Sequence, residues 1–170
     1  MPFIGIISKE NDSNFIKNTL TRNSKTNKFE IVNINKKSIE NVKNIKFDIL
    51  VINENIENLL KNSRYLEDII NKAYYIIINS DIKNNLSLLK NVRTNIITYG
   101  FNAKATITIS SINDENMLLC IQRSVKDING KIIDEQEFSI KIEKNNMNKL
   151  YIILIIFTIL AIYGEILQKI

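Results

Sequence analysis

A chain of 170 residues, 45% of them hydrophobic, can bury a sizeable core without disulfides or metal, and residues 1–170 are expected to form a single domain. Lys and Arg exceed Asp and Glu by 23 − 18 = 5, but the charges are dispersed along the chain, which describes a solvated surface and argues against a nucleic-acid partner. There is no histidine, which excludes Ser-His-Asp hydrolysis, His-ligated metals and the usual near-neutral general base.

The first element is the apolar run Phe3 to Ile7, read as a buried strand; it is too short for the core of a signal peptide. Ser8 to Asp12 reads as a polar loop, with Asp12 or Ser13 capping a helix that carries Phe15, Ile16 and Leu20 on one face. Strand, loop and helix in this order form the layout on which α/β proteins build phosphate sites. A P-loop needs glycines, then Lys for the β/γ-phosphates and Ser or Thr for magnesium. Here no glycine follows Gly5, and Glu10 and Asp12 stand where an anion would bind. Lys9 and Ser13 are the candidates for whatever cofactor contact remains, Lys9 to phosphate and Ser13 to magnesium. No cofactor and no resident metal are expected, with Mg-ATP as the alternative.

Phe29 to Ile34 alternates and reads as an edge strand, whereas Phe47 to Asn53 reads as a buried one. From Glu54 to Lys72 the spacing of Ile56, Leu59, Leu60, Leu66, Ile69 and Ile70 predicts helix with a break near Asn62 and Ser63. Tyr74 to Ile78 is a further buried strand, stopped by Asn79, Ser80 and Asp81. A short crossing from Leu86 to Val92, a strand at Ile96 to Tyr99 and a break at Gly100 follow. Asn79, Asp81, Tyr99 and Asn102 therefore fall at the carboxyl ends of parallel strands, where α/β ligands sit. The competing reading is turn chemistry, since Asn and Asp end strands for local backbone reasons.

Past Gly100 the pattern changes. Thr106 to Ile112, Met117 to Arg123 and Glu137 to Ile142 alternate or run as short strands, and Asn129-Gly130 signals a hairpin between Val125–Ile128 and Lys131–Ile133. Lys104 and Arg123 are possible anion contacts on these strands. The lone Cys120 lies inside an apolar run, which excludes a disulfide framework and favours a reducing, cytoplasmic setting. Without a histidine to activate it, it reads as core filler. Met147 to Ile170 reads as one helix, apolar on every side from Leu150 to Gly164, so it lies in a core or in lipid. Membrane attachment through Leu150 to Leu167 is the alternative to a core position. The expected fold is α/β: a mostly parallel, P-loop-like sheet flanked by helices, with a C-terminal antiparallel hairpin region and a final apolar helix.

Several stretches, FIGIISKENDSNFIKNTL at Phe3 to Leu20, FDILVIN at Phe47 to Asn53, YIIINSD at Tyr75 to Asp81 and NIITYGFNAKATITISS at Asn95 to Ser111, together resemble one known arrangement. It is the central, ATP-binding domain of the Mur ligase family, the ATP-dependent amide-forming ligases of peptidoglycan precursor synthesis. Asn148 to Gly164 resembles that family's late helix, which commonly begins at Asn and ends at Gly. The resemblance implies a nucleotide site near Asn79 and Asp81. The chain departs from the family where the chemistry lies. The P-loop glycines and Lys-Thr or Lys-Ser pair are not reproduced by Ser8 to Ser13. The family's magnesium-binding Glu has no counterpart, its Asp-His pair falls near Glu54 to Glu57 with no histidine, and its modified lysine corresponds to no residue more closely than Lys72. The resemblance then implies a stand-alone, non-catalytic relative that binds a protein or small molecule, with dimerisation through an exposed strand as a further possibility.

Overall fold

The computed structural model describes all residues except 27, 63, 144, 145, 147, 148 and 168. Its centre is an eight-stranded sheet in the order β10-β7-β6-β5-β4-β3-β1-β2. β1 (Phe3–Ile7), β2 (Glu30–Asn33), β3 (Ile49–Ile52), β4 (Tyr75–Asn79) and β5 (Asn95–Tyr99) are parallel. The buried runs found in the sequence are the inner strands: every residue of β3 and β4 is buried, as strands covered on both faces require. β2, expected at an edge, forms one of the two edges.

β6 (Ile107–Ile112) joins β5 in parallel at a single register pair, Tyr99 with Ile107. β7 (Asn116–Ile121) and β10 (Gln136–Lys141) then continue the sheet antiparallel. β8 (Val125–Lys126) and β9 (Ile132–Ile133) form the small hairpin that Asn129-Gly130 announced. The handover from parallel to antiparallel, expected at the break at Gly100, lies one strand later, between β6 and β7.

Two apolar layers cover the sheet. α1 (Glu10–Asn23) and α5 (Leu150–Ile162) pack on one face, through Ile16 and Leu20 and through an unbroken buried run from Ile152 to Ile162. On the other face, α2 (Glu57–Asn62), α3 (Arg64–Lys72), α4 (Asn85–Leu88) and the segment after β2 cover β1, β3 and β4, using Ile39, Val42, Leu59, Leu66 and Ile69. The break expected near Asn62 and Ser63 falls between α2 and α3, with Ser63 itself outside the described residues.

The final helix is shorter than the sequence suggested. It stops at Ile162 because Gly164 takes φ +71 and its N–H bonds to the Ala161 carbonyl at 2.9 Å while the Glu165 N–H bonds to that of Leu160 at 2.8 Å. These two bonds make a Schellman cap, which glycine enters without steric cost. Beyond the cap, Lys169 pairs with Lys141 in a parallel bridge. α5 is uniformly apolar because it is enclosed by sheet, α1 and the hairpin. Among the described residues, no helix is long and apolar enough to cross a membrane.

Candidate functional site

The strand order β2-β1-β3-β4-β5 places a topological switch point between β1 and β3, where doubly wound sheets open a crevice at their carboxyl ends. β1 delivers Ile7 to this end and α1 begins at Glu10, so Ser8 and Lys9 alone connect them. The longer loop expected from Ser8 to Asp12, with Asp12 or Ser13 as the cap, is therefore corrected. Lys9 occupies the cap position, and its carbonyl accepts the N–H groups of Asp12 and Ser13, both at 3.1 Å. The helix starts early because Glu10 and Asp12 sit in its first turn, where their charge opposes the positive end of the helix dipole.

That geometry bears on phosphate binding. A phosphate cradle uses successive backbone N–H groups of a glycine-rich loop, and a connection of Ser8 and Lys9 is too short to wrap one. Ser13 is buried and its hydroxyl donates back to the Lys9 carbonyl at 3.4 Å, inside the first turn. Asp12 accepts the Ser8 hydroxyl at 3.4 Å.

From Ser8 a chain of polar groups crosses the strand ends. Asn53 donates its Nδ2 to Ser8 Oγ at 3.3 Å, and its Oδ1 accepts from Tyr99 Oη at 2.7 Å and from Asn79 Nδ2 at 3.5 Å. Asn79 Oδ1 in turn accepts the Asp81 N–H at 2.9 Å. The Asp81 carboxylate accepts four hydrogen bonds: Phe101 N–H at 2.7 Å, Asn102 N–H at 3.2 Å, Asn102 Nδ2 at 2.6 Å and Tyr151 Oη at 3.1 Å. Asn102 Nδ2 also donates to Ser80 Oγ at 2.7 Å. Gly100 makes this closure possible. Its φ is +152, and a Cβ there would lie 2.6 Å from Asp81 Oδ2.

The electrostatics follow from these contacts. Burial pushes the Asp81 pKa up, but hydrogen bonds from Asn102, Phe101 and Tyr151 outweigh it and hold the carboxyl below its ordinary value. Tyr99 is buried, and burial, with the charges of Tyr151 and Asp81 adding to it, raises its pKa well above the usual phenol value. It therefore remains a hydrogen-bond donor at neutral pH. The arrangement orders the turn after β4 against the turn after β5. Among the described residues no group of three His, Cys, Asp or Glu side chains is placed to hold a metal ion.

Asn79, Asp81, Tyr99 and Asn102 are thus brought together, as their positions at strand ends suggested, and Ser13 and Lys9 lie at the neighbouring end of α1. Lys104 joins only through its N–H, which donates to Asn102 Oδ1 at 2.9 Å. Arg123 lies elsewhere, lining a cavity of about 490 Å³ with Lys126 and Thr94. Lys72 closes α3, beside the start of β4 and at the opposite end of that strand from Asn79. Sequence reasoning missed Asn53 as a hub, although FDILVIN ends in Asn as YIIIN does. It also missed Asn85, which is fully buried and clamps the segment after β3 by donating to the Glu54 carbonyl at 2.8 Å and accepting the Ile56 N–H at 3.3 Å. Tyr151, on α5, also went unnoticed as a member of this network, to which it brings its hydroxyl on Asp81. No family model and no curated protein matches this chain.

Proposed function

We propose that this chain is a non-catalytic binding protein, a stand-alone relative of the Mur ligase central domain that keeps the sheet and has lost the phosphate site. Its role is regulatory, in a reducing cytoplasmic setting, and connected with cell-envelope synthesis. The observation that carries the reading is the connection of Ser8 and Lys9 between β1 and α1, with Glu10 and Asp12 in the helix turn that follows. The same helix end in a nucleotide-binding protein accepts the phosphate charge; here two carboxylates already hold that position. Further support comes from the network around Asn53 and Asp81, which satisfies at the crevice the donors and acceptors that a ligand would otherwise meet. The envelope connection rests on the family resemblance alone.

Isothermal titration with Mg-ATP tests this. No saturable heat is expected from the native protein, and none from Lys9→Ala. Saturable binding that Lys9→Ala abolishes would establish the opposite reading, a nucleotide-using enzyme with Lys9 on phosphate and Ser13 on magnesium.

A further inference from the structure

Away from the strand ends just described, a cavity of about 450 Å³ opens between β10, the β8–β9 hairpin and the segment that follows α5. Its floor is apolar, formed by Ile121, Phe138, Phe157 and Ala161. At its lips stand Ile132 and Ile166, which are 56% and 57% exposed and are, among the described residues, the most exposed large apolar side chains after Met1. The volume falls in the range of ligand pockets.

The charge around this cavity runs against that of the chain. The lining includes Asp127, Asp134, Glu135 and Glu165 against Lys131, in a protein of net charge +5. Asp127 is engaged by the N–H groups of Asn129 and Lys131, and Glu165 by Ser24, Lys25 and Thr26. Asp134 and Glu135 are exposed, as is Glu137 on the adjoining strand.

The strand beside the cavity is a sheet edge. Ile142 N–H bonds to the Glu115 carbonyl at 2.9 Å, in register with the β7–β10 ladder. Antiparallel pairs alternate, so Gln136, Phe138 and Ile140 turn their backbone groups to β7, while Glu137, Ser139 and Lys141 turn theirs outward. The Lys141 carbonyl is taken by the Ile170 N–H at 3.0 Å. No backbone partner is present for Glu137 and Ser139 among the described residues.

We propose that β10 receives an extended peptide segment of a partner protein in which apolar and basic residues alternate. Added beside Glu137 and Ser139, such a strand gains main-chain hydrogen bonds from the open amides. Its side chains alternate between the two sheet faces. Those on the α5 face enter the cavity beside Phe138, whose ring packs on Phe157 at 5.3 Å. Those on the other face meet Glu137. Glu137 stands directly across the ladder from Cys120 of β7. The inference does not depend on whether a nucleotide binds at the strand ends.

The test is an amide-resolved NMR titration of the full chain with acetylated, amidated Lys-Ile alternating hexapeptide, beside its Glu-Ile counterpart. The basic peptide is expected to bind saturably, with shifts at the amides of Glu137, Ser139, Ile132 and Ile166, and at least about tenfold more tightly than the acidic one. Ile132→Asp and Glu137→Lys should each weaken binding by about tenfold. Ser139→Pro removes an outward N–H that takes no part in the β7 ladder, so circular dichroism should be unchanged while binding is lost. Absence of saturable binding, equal binding of the two peptides, shifts centred elsewhere, or indifference to these variants would each overturn the proposal.

Discussion

Asp81 shows how much one side chain organises at the strand ends. Its carboxylate takes hydrogen bonds from Phe101 and Asn102 on the turn after β5 and from Tyr151 on α5, so it joins segments 20 to 70 residues away. Asp81→Ala would leave those donors with only water to meet them, at a cost of about 1–2 kcal/mol given the partial exposure of the site. In a chain of this size the melting temperature should drop by about 3–6 °C at pH 7. Because the folded carboxyl lies below its ordinary pKa, its contribution is complete above the unfolded value and is lost as pH falls through the folded one. The difference between native protein and variant, read by thermal melts at several pH values, should therefore shrink on acidification below the ordinary carboxylate range. Asn79 and Asp81 were legible in sequence as strand-ending residues. That they act as acceptors for a distant tyrosine was not, because a side chain's partner at long separation leaves no local periodicity.

Among the elements, the two ends of the α1 and α5 layer obey opposite rules. α1 begins on acids, which suit the positive end of its dipole and oppose a bound anion there. α5 ends on a left-handed glycine, and the segment past it carries Glu165 to the end of α1, where it accepts Ser24 Oγ at 2.8 Å, Thr26 Oγ1 at 2.7 Å and the Lys25 N–H at 2.8 Å. Gly164→Ala keeps space for its methyl group but forces an L residue to φ +71. The expected cost is about 1–2 kcal/mol, visible in chemical denaturation as a lower midpoint with an unchanged slope. The continuous helix expected to Ile170 failed at this glycine. The apolar composition on either side of it outweighed a stop signal that the sequence carried, and Lys169 forms a strand bridge instead.

For the molecule as a whole, α5 decides stability. Residues Ile152 to Ile162 are all buried, and each large aliphatic side chain taken from water contributes about 1.5–3 kcal/mol. Their sum exceeds the net stability of about 5–15 kcal/mol typical of a domain. Removing residues 147–170 should therefore abolish the cooperative thermal transition and the near-ultraviolet circular dichroism. A truncated chain that still melts cooperatively would mean that α5 is not core. By itself the sequence determined the strands and the mixed α/β class, because these rest on residue periodicity. Tertiary structure alone decided that Ser8 and Lys9 suffice to link β1 to α1, that Asn53 and Tyr151 complete the strand-end network, and that Glu137 and Ser139 face an open edge. Each of those depends on which groups from remote parts of the chain meet in space, and hydrogen-bond satisfaction is set there and not along the backbone.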